Sequence, residues 1–158
     1  MSILKQNIIK VIAGVALVAT TAITAHLSLQ EVTVTNTGLS NVPDSVAIEN
    51  LKQIGQHIYE PVRAHFHYPV YVSSAFRNQK VNTAVGGAMR SQHLKGEAFD
   101  LDPKVYGHLT NQELWQFVKD SLIFDQLIME GGSRGWVHIS YRKERKKNRH
   151  QAFKIDNP

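Results

Sequence analysis

The sequence predicts an α+β domain, in which a small, largely antiparallel sheet carries helices packed on one side. Three observations lead there. Apolar residues recur at helical spacing through Ala47, Leu51, Ile54, Ile58 and Val62. Two short stretches, Ala98–Asp102 and Trp136–Ser140, alternate instead, with Phe99, Leu101, Val137 and Ile139 marking one face. Between two strand-like runs lies the glycine-rich segment 131–135, which reads as a hairpin turn. A chain of 158 residues holds one hydrophobic core and leaves no room for a second. Helices and strands in these proportions settle as layers around that core.

Taken in order, the first 25 residues stand apart. Lys5 and Lys10 precede an apolar run from Val11 to Ala19, and small residues follow to Ala25. A basic start, a short apolar middle and a small-residue end describe a secretory signal. The run is shorter than the ~20 residues a membrane span needs, and its Ala- and Thr-rich character also suits an uncleaved anchor. The folded domain is expected over 26–158. Asp44 and Ser45, just after Pro43, cap a helix reaching to about Ala64, with Pro61 kinking it or marking its last turn. Residues 68–73 read as a strand, and 78–85 as a short helix ended by Gly86 and Gly87. Gly96 turns the chain into the strand Ala98–Asp102. Thr110 and Glu113 form a capping box ahead of Leu114, Phe117 and Val118, which predicts another helix. Residues 124–130 and 136–141 are the hairpin strands. The basic run 142–149 reads as a solvated strand end or tail. No internal repeat and no low-complexity segment interrupts this order.

A net charge of +5 favours an anionic partner: a wall polymer, a membrane surface or nucleic acid. The absence of cysteine excludes disulfides and thiolate metal sites.

The chemistry concentrates in Ser91-Gln92-His93-Leu94-Lys95-Gly96-Glu97-Ala98-Phe99-Asp100, answered downstream by Trp136-Val137-His138. Two histidines and a carboxylate from separated segments make the protein ligand set of a catalytic zinc ion, with the fourth position left to water. The chain has eight histidines, so placement and not residue type singles out His93 and His138. Asp100 and Asp102 project from the same strand face and compete for the acidic position. His65 and His67 form a His-x-His pair at a helix end and read as structural. Ser91 has no Ser-His-Asp arrangement around it and is not a nucleophile.

With Ser73-Ser74-Ala75-Phe76-Arg77 and Val81-Asn82-Thr83-Ala84-Val85-Gly86-Gly87 ahead of it, this pattern resembles the zinc D-alanyl-D-alanine carboxypeptidases and the related L-alanyl-D-glutamate endopeptidases of bacteria and their phages. The similarity covers nearly everything after residue 26, including a leader like that of the shorter, phage-type members: residues 26–33, Asn41-Val42-Pro43 and Ile48-Glu49-Asn50-Leu51. The resemblance implies a fold of the Hedgehog/D-Ala-D-Ala-peptidase type, one catalytic Zn2+ ion and a peptidoglycan stem peptide as substrate. It selects Asp100, the first acid after Gly-x-Ala-x, as the third ligand beside His93 and His138, which leaves Asp102 a capping or supporting role. It assigns Arg77 to substrate or its polarised carbonyl, and brings Ser91, Gln92 and Trp136 near substrate. In many relatives the general base stands three residues before the last histidine. Here that position is Gly135, and Glu130 across the hairpin is the substitute, provided the register pairs it near Trp136. A monomer that is exported or membrane-anchored follows, or a cytoplasmic phage lysin awaiting release. A zinc-containing wall-binding module without turnover is the alternative. A nucleic-acid partner leaves the His-Asp-His pattern unexplained and is not expected.

Overall fold

The computed structural model describes residues 21–155; most of the signal-like segment, residues 1–20, lies outside the described residues. The last part of that segment packs onto the domain. Ile23 is buried in the core, and the Thr24 hydroxyl donates to Glu60 at 2.5 Å.

The first helix, α1 (Leu29–Val32), is one turn held by a capping box: the Ser28 hydroxyl accepts from Glu31 N, and the Glu31 carboxylate accepts from Ser28 N. Asp44 accepts from Ala47 N at 2.8 Å and starts α2 (Ser45–Ile54) as its sequence position predicts. Helix continues to Phe66, two residues beyond the expected Ala64, through a widened π-helical stretch (Gly55–Tyr59) into α3 (Glu60–Phe66). Pro61 has no N–H to give and its ring crowds the preceding turn, and the wide turn just before it absorbs both defects. His67, left-handed at φ 62°, ends the helix. β1 (Tyr71–Ser74) then begins later than the sequence suggested, after Pro69. Asn78 caps α4 (Gln79–Ala84), and Thr110 supplies the capping box of α5 (Asn111–Ser121).

With β2 (Ala98–Asp102), β3 (Gln126–Glu130), β4 (Trp136–Ser140) and β5 (Gln151–Ile155), these build a five-stranded sheet in the order β1-β2-β4-β3-β5. The first three pairings are antiparallel. β5, which follows the basic run and to which the sequence reading assigned no element, runs parallel to β3 and makes the sheet mixed. Its approach corrects the picture of a solvated basic run. Arg149 forks onto the fully buried Asp125 through Nε and Nη2 at 2.8 and 2.7 Å, with Arg142 beside it. Burial alone would raise the Asp125 carboxyl, but the Arg149 hydrogen bonds and Arg142 hold it below the usual carboxylate range. Lys143 to Lys147 remain exposed.

One sheet face carries Phe99, Leu101, Leu127, Met129, Val137 and Ile139 into a core with Leu51, Ile54, Ile58 and Val62 of the long helix and Leu114 and Val118 of α5. Each fully buried side chain of this size contributes about 1.5–3 kcal/mol. Because side chains alternate across a strand, the same packing forces Asp100, Glu130 and His138 onto the opposite face.

Candidate metal centre

The centre is assembled by register. β2 pairs with β4 so that Asp100 stands directly opposite His138, and β4 pairs with β3 so that Ile128 faces His138 and Glu130 faces Trp136. Directly opposed residues share a sheet face, as do those two positions along. Asp100, His138, Trp136 and Glu130 therefore lie together, and the register is the one a catalytic role for Glu130 requires.

His93 comes from outside the sheet, on a 3-10 turn (Gln92–Lys95). The Ser91 hydroxyl caps that turn by accepting from His93 N at 3.3 Å. Gly96 ends it at φ 69°, where a Cβ would also lie 2.6 Å from the Ala47 carbonyl oxygen, so both backbone and space demand glycine. The buried His93 ring gives Nδ1–H to the Ala75 carbonyl at 2.6 Å. A carbonyl only accepts, so Nδ1 holds the proton and Nε2 offers its lone pair to the centre.

Three ligand atoms converge there. His93 Nε2 lies 3.3 Å from His138 Nδ1 and 3.2 Å from Asp100 Oδ1, and His138 Nδ1 lies 2.8 Å from Asp100 Oδ1. Ligands on a tetrahedral zinc at ~2.0–2.1 Å would be about 3.3 Å apart. Two of the separations match that edge and the third is within the reach of a small rotation. A donor set of two imidazoles and one carboxylate, with room left for a fourth partner, suits an open catalytic site. Among the described residues this is the group that could hold a metal ion.

Arg77 is placed on the ligand itself. Its Nη2 donates to Asp100 Oδ2 at 2.6 Å and its Nε to Ser74 Oγ at 2.8 Å. Sequence reasoning aimed this residue at substrate; the structure gives it first to Asp100, leaving its remaining N–H groups toward the cavity it lines. Burial works to raise the Asp100 carboxyl, but His93 and His138 outweigh it and hold the group well below the ordinary carboxylate range.

The cavity over the centre measures about 400 Å³ and is walled by Arg77, Val85, Ser91, Glu130 and Trp136. Burial, then the nearby Asp100 charge, raises the Glu130 carboxyl, which suits an acid that must exchange a proton near neutrality. Trp136, more than a third exposed, forms the outer wall. Gln92 opens the 3-10 turn of His93 and, against expectation, is not among the residues that wall the cavity; its amide Nε2 and Oε1 are buried with no hydrogen-bond partner among the described residues. Neighbours on a 3-10 turn diverge by a third of a revolution, so His93 pointing in turns Gln92 away. Asp102 caps the following turn, accepting from Lys104 N and from Lys104 Nζ at 2.7 Å. His65 stacks on Phe117, as a structural residue does.

Position 135 accepts no side chain. A Cβ there would lie 1.5 Å from the Glu130 carbonyl oxygen and 2.9 Å from Gly131 Cα. The acid expected here from the resemblance has no room in this hairpin, and the cavity's second carboxylate, beside Asp100, is Glu130.

Three supports escaped the sequence reading. A bulge in β1 between Val72 and Ser74 lets the Ser73 hydroxyl bond the Asp100 carbonyl while Ser74 takes Arg77. Buried Asn41 donates to Thr33 O and Phe76 O and accepts from Asn78 N, locking the segment that presents Arg77. Asn111 Nδ2 donates to Gly132 O and Gly135 O at 2.9 and 3.0 Å, and Lys104 Nζ also reaches Gly135 O, which clamps the hairpin. The signals were present as Ser-Ser, Asn-Val-Pro and a capping-box asparagine, but their partners are remote in sequence.

A family model described as Peptidase M15 matches residues 25–140, a span that contains every residue of this centre. No curated protein matches the chain.

Proposed function

The chain belongs to the peptidase M15 family, and from that premise we propose that it is a zinc-dependent peptidase hydrolysing peptidoglycan stem peptides, of the D-Ala-D-Ala carboxypeptidase or L-Ala-D-Glu endopeptidase type, in wall remodelling or phage lysis. The observation that carries the reading is the convergence of His93 Nε2, His138 Nδ1 and Asp100 Oδ1 beneath an open cavity that also holds a second carboxylate, Glu130.

His93, Asp100 and His138 would hold the ion. Bound there, zinc would polarise the scissile carbonyl and lower the pKa of water toward ~7. Glu130 takes a proton from the attacking water on a carboxylate oxygen and returns it to the amine nitrogen as the C–N bond breaks. Its diagonal place from His138 puts the two Cβ atoms about 7 Å apart, room for one water between them. Arg77 fixes Asp100 through Oδ2, and its remaining N–H groups face the substrate carbonyl or a carboxylate. Ser91 and Trp136 shape the walls that orient the peptide. The net charge of +5 suits an anionic wall polymer.

Reaching that substrate requires passage across, or attachment to, the cytoplasmic membrane, which we assign to the N-terminal segment. A cut after Ala25 would remove Ile23 from the core, so cleavage before Thr21, or retention as an anchor, fits better. Fractionation with N-terminal sequencing decides; an intact chain free in the cytoplasm would point to a lysin awaiting release.

Digestion of purified wall sacculi by the zinc-loaded protein, with mass spectrometry of the released ends, tests the activity and identifies the bond. New amine termini that depend on zinc and on Glu130 support it. A protein that binds zinc and sacculi yet releases nothing is a wall-binding module instead.

A further inference from the structure

Glu130 is the last residue of β3 and Trp136 the first of β4, so the pair that walls the cavity is the closing rung of its ladder. Strand ends open at lower free energy than strand centres. The loop beyond that rung carries glycine at 131, 132 and 135, which leaves its backbone little preference for one conformation. Inside the loop, Gly135 N donates to Gly131 O at 3.1 Å. Further bonds reach it from outside the hairpin. Gly131 N donates to Ile155 O at 2.9 Å, Asn111 Nδ2 donates to the carbonyls of Gly132 and Gly135, and Lys104 Nζ donates to the Gly135 carbonyl as well. The place of Glu130 over the metal centre therefore depends on groups that the hairpin does not contain.

Lys104 brings the charge to this set. An ammonium has three N–H donors and no acceptor. Here the three find Asp102 Oδ1 at 2.7 Å, Asn111 Oδ1 at 3.4 Å and the Gly135 carbonyl. The side chain is partly buried, and Asp102 pairs with it as a salt bridge. Asp102 belongs to β2, two residues past the candidate ligand Asp100 and on the same sheet face. Its carboxylate also caps the 3-10 turn (Pro103–Tyr106) that carries Lys104, by accepting from Lys104 N at 3.1 Å. One short segment, 100–104, thus presents a metal ligand at its start and, at its end, the cation that grips the loop between Glu130 and Trp136.

We propose that Lys104 is a positioning residue for the hydrolysis: it ties the Gly135 carbonyl to the strand of Asp100 and so fixes Glu130 relative to Asp100 and His138. The inference rests on the peptidase reading above, because the place of Glu130 matters once it moves a proton. Charge is what Lys104 adds to the clamp. A hydrogen bond from an ionised donor is shorter and roughly twice as strong as the neutral bond Asn111 makes to the same oxygen. Removing the ammonium leaves the Gly135 carbonyl with Asn111 and leaves Asp102 without its cation. The loop is then held less tightly, and a displacement of Glu130 near 1 Å costs about 10²-fold in turnover. The ion site itself should be untouched, since none of the three bonds goes to His93, Asp100 or His138.

The chain contains no cysteine, so Lys104→Cys gives the full-length protein one thiol that reagents can address. On a soluble muropeptide carrying the bond cut in sacculi, Lys104→Cys should keep zinc and KM and lose about 10–10²-fold in kcat. Alkylation with 2-bromoethylamine rebuilds a side chain of lysine length ending in an ammonium, and should return most of the turnover. Alkylation with iodoacetamide, which fills space without charge, should not. In the Glu130→Gln background the same substitution should cost almost nothing more, because the two residues act as a unit. Hydrogen exchange of the zinc-free chains reads the clamp apart from activity: the Gly135 amide should exchange faster after Lys104→Cys and slow again on aminoethylation. Should Lys104→Cys not fold, Asp102→Asn, which frees the ammonium without emptying its place, should move turnover and exchange in the same directions. Normal kcat in Lys104→Cys, rescue by the neutral adduct, or full additivity with Glu130→Gln overturns the positioning role, and unchanged exchange overturns the clamp. A wild type that releases no zinc-dependent ends from sacculi defeats the peptidase reading, and the catalytic role of Lys104 with it.

Discussion

Gly135→Ala adds a single methyl group to the hairpin that sets the second carboxylate, and the structure dictates the consequence. The new Cβ would sit 1.5 Å from the Glu130 carbonyl oxygen, 2.5 Å from its carbon and 2.9 Å from Gly131 Cα. All three neighbours are backbone, so no rotamer change relieves the clash, and the hairpin must open by roughly 2 Å to reach ordinary contact. Opening stretches the Gly135 N to Gly131 O bond and pulls the Gly135 carbonyl from buried Asn111. Strain and two weakened hydrogen bonds together cost about 2–4 kcal/mol, which lowers Tm by about 5–15 °C in a chain of this size. Glu130 and Trp136 flank the loop, and a displacement near 1 Å costs about 10²-fold in turnover. Zinc should stay bound, because His93 and Asp100 lie on other segments and His138 is two residues further along β4. Differential scanning calorimetry, metal analysis and sacculus digestion on one preparation read all three quantities. An unshifted Tm with normal turnover would refute the reasoning, since it requires a hairpin other than the one described.

Four further outcomes follow from the same geometry. His93→Ala, Asp100→Ala and His138→Ala should each lose zinc and activity; full metal content in the His138→Ala variant would remove the site. Glu130→Gln should keep fold and zinc while turnover falls ~10²–10⁴-fold, and an unimpaired variant would transfer the proton to another acid. Arg77→Lys keeps the charge but cannot serve Ser74 and Asp100 together, so turnover should fall and zinc affinity weaken about 10-fold, measured by competition with a chelator. Asp125→Asn should cost about 1–3 kcal/mol, with the exposed Arg149 rehydrating. Because folding depresses the Asp125 carboxyl, its contribution is full above the unfolded pKa, ~3.9, and is lost as pH falls through the lower folded value. Wild type should therefore lose stability below about pH 4 more steeply than Asp125→Asn in urea titrations.

Local chemistry made much of this protein legible from its sequence. Asp44, Asn78 and the Thr110–Glu113 pair each start a helix because a short polar side chain satisfies an orphan N–H within the next turn. Period-two alternation put Phe99, Leu101, Val137 and Ile139 on one face, and that alone sent Asp100 and His138 to the other. Motif placement could then pick His93, Asp100 and His138 from many titratable groups. What the sequence could not determine depends on partners distant along the chain. β5 has weak patterning and exists because Asp125, buried by the fold, draws Arg149 to it. The engagement of Arg77 by Asp100 needs a bulge in β1 that no local residue preference announces. The turn that aims His93 inward buries the Gln92 amide away from the cavity, and Gly96, which ends that turn, lies against Ala47 and Leu51 of α2. Glycine at 135 reads in sequence as a missing acid; in three dimensions it is the residue whose lack of a side chain lets Glu130 and Trp136 pair across the hairpin, because the space a Cβ needs is already filled by backbone.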